Sequence, residues 1–380
     1  VIEIVRGWHH GRYAAVRSPR SRERLTEVQP FLIEALADTA DPDAAITAFD
    51  RFVSDLPAGI QLFSLLRANP NLLRLVADIM GTAPRLARIL SRRRRLLDAV
   101  IDPRTFETLP SADELDDVIQ AELKRADDFQ ELLDSARIVG SEQWFLVGVR
   151  VLSGTIDASR AGEAYARIAE SLIEALLNAV KAELSIHHGE VAGGAAVVLG
   201  MGKLGSREMS AGSDLDLIVI YDFDQQVVET DGQRPLAPAQ YYARLTQRLI
   251  SALSAPTSEG SLYDVDMRLR PSGQQGPVAT RLKSFRDYQS NEAWTWEHMA
   301  LTRARVIAGP QHLREQVEAA IRDCLTQPRD RTKIANEVRQ MRERIAAEKG
   351  TTNHWDIKQV RGGLIDLEFI AQFLQLIHAA

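Results

Sequence analysis

The sequence predicts an α+β protein, mostly helical, with one small mixed sheet flanked by helical regions. Three observations carry that prediction. Up to about residue 190, apolar residues recur at helical spacing, broken by Asp-Pro, Asn-Pro and Pro-Gly punctuation. Two apolar runs of strand length, 195–199 and 217–221, lie on either side of a glycine-rich turn. Beyond residue 311 the chain returns to highly charged helical periodicity. The expected organisation is a helical region over 1–190, an α/β core over 191–310 and a helical extension over 311–380.

Within the first region, Asp41-Pro42-Asp43 reads as a helix start with Pro in the first turn. Phe49, Phe52, Val53 and Leu56 give the apolar stripe behind it. Residues 56–59 break the pattern before a second helix over 60–66. Asn69-Pro70-Asn71 starts a third, which ends across 81–84. Asp102-Pro103 and Leu109-Pro110-Ser111 mark further breaks. Leu115, Ile119 and Leu123 begin a long helix, and 165–184 forms another. The basic run 92–95 is expected to be a solvated helix face. His187 and His188 diverge as neighbours on a helix and do not make a metal site.

The central stretch carries the chemistry. Gly200, Gly202 and Gly205 follow the first apolar run, with Lys203 among them. Their spacing matches a dinucleotide fingerprint, and Asp222 or Asp224 falls about 20 residues on, as that motif expects. The short span to Ser213 leaves little room for a crossover helix, and paired aspartates have no role in a nicotinamide site. A phosphate loop needs Lys followed by Ser or Thr, and Lys203 is followed by Leu204. Ser213-Asp214-Leu215-Asp216 opens the second apolar run, so Asp214 and Asp216 share a face at a strand mouth. A divalent cation relieves their repulsion, and hard oxygen ligands suit Mg2+. Two carboxylates on one strand, a third from a neighbour and a glycine turn open to a triphosphate are the needs of nucleotidyl transfer.

The third carboxylate is sought in the run 261–271. Alternation there puts Tyr263, Val265, Met267 and Leu269 on one face and Asp264, Asp266, Arg268 and Arg270 on the other. Asp214, Asp216 and Asp266 are the expected catalytic and metal-holding residues. Gly202, Lys203, Gly205, Ser213, Arg268 and Arg270 are the expected nucleotide contacts. Residues 227–239 read as a surface loop, 241–253 as a helix and 271–277 as a glycine-rich loop, either a plain surface turn or one lying over the nucleotide. One helix is expected over 284–308, with Phe285, Tyr288, Trp296, Met299, Ala300 and Ile307 inward. Trp294, Glu297, His298, Arg303 and Arg305 fall elsewhere on it, and the two arginines are candidate phosphate or partner contacts. Asp366 lies in the first turn of the last helix, where the helix dipole favours a negative charge.

The strings GMGKLGSREMSAGSDLDL, LYDVDMRLRPSG, NEAWTWEHMALTRARV and DIKQVRGGLIDLEFI, in this order, resemble the glutamine synthetase adenylyltransferase family. FDRFVSDLPAGIQLFSLL and NPNLLRLVADIMGTAPRLARIL extend the resemblance towards the start of the chain. It implies a polymerase-β-like nucleotidyltransferase sheet, Mg2+, ATP as substrate and a tyrosine hydroxyl of glutamine synthetase as acceptor. It also implies regulation by a PII-type signal protein. That family carries two related halves, one adding AMP and the other removing it. The Trp294–His298 string and Asp366 resemble the adenylylating half. The deadenylylating half and a non-catalytic partner-binding module are the alternatives. Ser206 stands where the family usually has a second glycine.

Composition bounds the rest. The 380 residues are 45% hydrophobic and 26% charged, which suits two or three domains. A net charge of −6 gives no nucleic-acid footprint. Cys324 is the only cysteine, so no disulfide framework exists and a cytoplasmic setting is expected. No membrane-spanning run or signal peptide is visible. Val1 at the start and the uncapped helical pattern at the end read as boundaries inside a longer protein.

Overall fold

A computed structural model describes residues 1–10, 13–93, 95–101 and 108–379. The chain divides into two compact units, 1–118 with 138–168, and 119–137 with 169–380. The expected break at Asp102-Pro103 and Arg94 of the basic run lie outside the described residues.

The first unit is helical, and its helices begin where the sequence marks them. Asp41 caps α3 (Pro42–Asp55) by accepting the Ala44 N–H at 2.9 Å. Asn69 precedes Pro70 at the start of α5 (Pro70–Thr82), and Pro84 opens α6 (Pro84–Arg92). α1 (Ile2–His9), α2 (Pro19–Ala37), α4 (Ile60–Ala68) and α7 (Arg95–Ile101) complete its first part. Trp8, Phe49, Phe52 and Phe63 are fully buried in one core with Leu25, Leu32, Val76 and Phe145. Trp8 packs edge-on to Phe49 at 5.6 Å and donates its indole N–H to Asp50 at 2.8 Å, so the one polar atom of that ring is satisfied.

The long helix expected from Leu115 is instead two. α8 (Ala112–Leu123) stops, and α9 (Phe129–Leu152) starts on a reciprocal cap. Asp128 accepts the Glu131 N–H and Glu131 accepts the Asp127 N–H, each at 2.8 Å. α10 (Ala158–His188) follows and is longer than its apolar pattern indicates.

The second unit holds a five-stranded mixed sheet. β1 (Ala195–Gly200) runs antiparallel to β2 (Leu215–Asp222) along its whole length, Val197 facing Ile220. β3 (Val265–Asp266) and β4 (Ala279–Arg281) both pair parallel with β2, at its start and its end. β5 (Arg305–Ala308) pairs antiparallel with the other edge of β1. This is the small α+β nucleotidyltransferase-type sheet expected from the sequence, with Val197, Leu217 and Val265 on adjacent strands.

Each sheet face is covered. Val197, Leu199, Ile218 and Ile220 pack with Phe285, Val306, Leu313 and Val317. On the other face, Tyr221 of β2 stacks on Tyr242 of α12 (Pro238–Ser254), ring centroids 4.3 Å apart. Arg137, 2% exposed, donates to the carbonyls of Ala252, Ala255 and Gly260 and so fixes the approach to β3.

Two expectations are corrected here. The single helix over 284–308 is α13 (Leu282–Asn291), α14 (Thr295–Leu301) and β5. The break forms because the buried Glu297 accepts the Trp294 N–H at 2.9 Å and the Tyr288 hydroxyl at 2.9 Å, starting a new helix. Glu297 is therefore inward, and Ile307 reaches the core from a strand. The run after Asp266 does not continue as strand, because Arg270 N–H closes a turn on Met267 O and Gly273 N–H closes another on Arg270 O. The C-terminal part is helical as expected: α15 (Gln311–Leu325), α16 (Arg331–Lys349) and α17 (Leu364–His378). No helix among the described residues is long and apolar enough to cross a membrane.

Candidate active site

The site is built where β1 ends and β2 begins. β1 leads through Met201 into α11 (Gly202–Gly205), a single helical turn. Met201 donates its N–H to Asp216 O at 2.9 Å, which ties that turn to the mouth of β2. Two glycines there are required by contact. Gly202 has φ +52, and a Cβ on it would stand 2.4 Å from Asp216 Oδ2. A Cβ on Gly205 would stand 1.7 Å from Arg303 O. The Gly205 N–H is committed to Met201 O at 3.0 Å. The N–H groups of Gly202, Lys203 and Leu204 open the turn and have no earlier helical carbonyl to bond. Lys203 is exposed beside them.

Asp214 is exposed just before β2, and Asp216 is half-buried as its second residue. Asp266 is the residue paired with Asp216 across the parallel β2–β3 ladder, and Leu215 N–H donates to Asp264 O at 2.9 Å to hold that register. The three carboxylates feel one another. Burial first, and then the negative charges of Asp214 and Asp266, push Asp216 from the usual 3.8 up to about 6. Asp266 moves the other way. The Arg268 side chain donates to Asp266 Oδ2 through Nε at 2.7 Å, its backbone N–H donates to Oδ1 at 2.8 Å, and both hold the carboxyl below its ordinary value.

That fork is the main departure from the alternating face read in the sequence. Arg268 turns back on Asp266 rather than lying beside it. No three His, Cys, Asp or Glu side chains among the described residues are gathered closely enough to hold a metal ion. The donor set is nonetheless of the kind a hard cation takes: Asp216 is disfavoured as an anion by its surroundings, and Arg268 supplies Asp266 with the positive charge it lacks.

The other expected contacts are placed as follows. Ser213 lies at the mouth of β2 and its hydroxyl accepts the Ser210 N–H at 2.9 Å. Arg270 donates to Met267 O at 2.9 Å and stitches the 271–277 loop through Gly276 O and Gln274 O. Arg303 and Arg305 grip the far side of the glycine turn. Arg303 donates to Ser206 Oγ at 2.8 Å and Glu208 at 2.7 Å. Arg305 donates to Gly205 O at 3.2 Å and Leu204 O at 3.1 Å and pairs with Glu170 of α10. His298 is half-buried between Gln289 O, 2.9 Å away, and Arg329; burial lowers its pKa. Asp366 pairs with Arg342 and accepts the Gly362 N–H. His188 faces Arg234 O and Arg244.

Two features here went unread in the sequence. The Arg268 latch has a local signal, a cation two residues from an acid on one strand face. Glu170, the support of Arg305, has none, because 135 positions separate them.

Comparison with known proteins sets these features in a family. The profile of the glutamate-ammonia ligase adenylyltransferase family matches residues 73–320. The chain belongs to this family. It is 53% identical over 376 residues to the bifunctional glutamine synthetase adenylyltransferase/adenylyl-removing enzyme of Brucella suis biovar 1 (strain 1330), covering 99% of this chain and 38% of that protein. It is 54% identical over 372 residues to the protein of that name from Mesorhizobium japonicum, covering 98% and 38%. It is 50% identical over 380 residues to that from Rhizobium meliloti, covering 100% and 38%. The chain thus spans well under half the length of these relatives. The glycine turn, Asp214, Asp216 and Asp266 all lie in the second unit.

Proposed function

We propose that this chain is the adenylylating half of a glutamine synthetase adenylyltransferase. It moves AMP from ATP to a tyrosine hydroxyl of glutamine synthetase, in the cytoplasm, under control involving a PII-type protein. The observation that carries the proposal is the charge balance at the β2 mouth: Asp216 pushed up to about 6 between Asp214 and Asp266, against a glycine turn that admits no side chain. A site with that imbalance is completed by cations and by a polyanion that brings them.

Asp214 and Asp216, joined by Asp266, would hold Mg2+, which when bound neutralises charge on the triphosphate. The opening N–H groups of the glycine turn and Lys203 receive phosphate oxygens, with Ser213 at the edge. Arg268, once it leaves Asp266, meets the leaving phosphates, and Arg270 shapes the 271–277 loop beside them through Met267 O, Gly276 O and Gln274 O. The tyrosine oxygen attacks the α-phosphorus, the bond from that phosphorus to the bridging oxygen breaks, and pyrophosphate leaves with its electron pair. Asp266 accepts the hydroxyl proton once Arg268 is drawn from it to phosphate, since the latch that holds its pKa down is then released.

The reverse-type reaction, phosphate attacking AMP-tyrosine to release ADP, uses the same charge clamp. The relatives' names carry both activities, and the Trp294–His298 string favours addition. The test is to incubate the chain with unmodified glutamine synthetase and ATP, then with adenylylated glutamine synthetase and phosphate. AMP incorporation in the first is expected. ADP release in the second without incorporation in the first would reverse the direction.

A further inference from the structure

The first unit contains a cavity of about 370 Å³ with a lining unlike the rest of its core. Two helices face each other across it. α9 presents Gln143, Val147 and Arg150, and α10 presents Arg160, Glu163 and Arg167. On each helix these positions form one stripe at three- and four-residue spacing, the stripe that packing normally fills with apolar side chains. Leu109, Leu115 and Ile168 supply apolar walls.

Arg150 is the decisive residue. It is 6% exposed, yet no carboxylate pairs with it among the described residues. Its Nη2 donates to Thr108 O at 2.9 Å and its Nη1 reaches Leu146 O at 3.4 Å, while Nε is buried with no partner. Burial lowers its pKa, the mark of a charge left uncompensated. A buried guanidinium without an anion is costly, and natural interiors pair such charges. Arg160 and Arg167 add two more guanidiniums, and neither forms an ion pair among the described residues. Of the two acids in the lining, both exposed, Glu114 accepts the Ser111 N–H at 2.8 Å and Glu163 lies on α10 between Arg160 and Arg167. Three guanidiniums against two carboxylates leave the lining one positive charge in excess, beside apolar walls.

We propose that this cavity binds a small oxyanion, the carboxylate or phosphate group of a compact organic molecule, with Arg150 at its floor and Arg160 and Arg167 at its mouth. Guanidinium forks match both groups in geometry, and the apolar walls accept a short carbon chain. The site belongs to the first unit and is distinct from the carboxylate site of the second. It gives the helical region a ligand-sensing role that requires no catalytic residue.

The test is calorimetric titration of the full chain with sodium phosphate and with succinate, in chloride of matched ionic strength. Saturable binding of at least one is expected, and which one binds distinguishes phosphate from carboxylate. Arg160→Ala with Arg167→Ala, both away from the buried core, should weaken it at least about tenfold. Arg150→Met should abolish it. Arg51→Ala with Arg88→Ala, which removes equal charge from exposed positions of the same unit, should leave it intact. No saturable binding of either anion in the parent overturns the proposal. So does parent-like binding in Arg150→Met or the Arg160/Arg167 variant, or an equal loss in the Arg51/Arg88 control.

Discussion

Replacing Asp216 by Asn should make the resting protein more stable at neutral pH and less so, by comparison, in acid. The Asp216 carboxyl is raised from 3.8 to about 6 by burial and by Asp214 and Asp266. A carboxyl whose folded pKa lies above its unfolded value binds its proton more tightly in the folded state. Its ionisation therefore costs stability, fully so above about pH 6, and the cost fades as pH falls towards 4. The raw shift corresponds to about 3 kcal/mol, and solvent screening of a half-buried group reduces it to about 1–2 kcal/mol. Asn has nearly the same shape and no charge at any pH. Urea unfolding of parent and Asp216→Asn without divalent cations should then differ by about 1–2 kcal/mol in the variant's favour at pH 7.5, and by nearly nothing at pH 4. The difference between the two proteins cancels the titrating groups that do not interact with Asp216. A variant less stable than the parent at pH 7.5, or a gap that does not change with pH, would refute the charge-crowding argument.

Three further outcomes follow from the same geometry. Gly205→Ala should destabilise the chain by about 2–4 kcal/mol and abolish transfer, because its Cβ meets Arg303 O at 1.7 Å; parent-like thermal unfolding would contradict this. Arg305→Ala should cost about 1–3 kcal/mol by removing the near partner of Glu170 and the side-chain donor to Gly205 O and Leu204 O, read by denaturant midpoint, and an unchanged midpoint would count against the clamp. Arg268→Ala should let the Asp266 pKa rise towards its ordinary value, measured by carboxyl NMR titration; no movement would mean that the latch is not what holds it down.

The parts of the fold legible in the sequence are those set by local chemistry. Asp41 before Pro42 and Asn69 before Pro70 marked helix starts, because the Asp41 cap on α3 and the proline that opens each helix act within one turn. β1 and β2 were visible as apolar runs because both are buried on two faces. β5 was not. Arg305–Ala308 follows a charged helical pattern, and its strand conformation comes from pairing with β1, more than a hundred residues earlier. The acids of the candidate site were legible by alternation at Asp214 and Asp216 and by order at Asp266. Alternation failed at Arg268 and Arg270, where the chain leaves the sheet after two residues and turns its arginines onto Asp266 and Met267 O. Arg303 and Arg305 looked like phosphate ligands because their partners, Ser206, Glu208 and Glu170, are distant in sequence.

The central claim is that Asp214 and Asp216 hold the cations for AMP transfer. The direct measurement is incorporation of label from ATP carrying a labelled α-phosphate into purified glutamine synthetase, with and without Mg2+, by the parent, Asp214→Asn and Asp216→Asn chains. The account predicts Mg2+-dependent incorporation by the parent and a loss of at least about a hundredfold in each variant, with both variants folded. Metal-dependent incorporation at the parent's rate in either variant would contradict it.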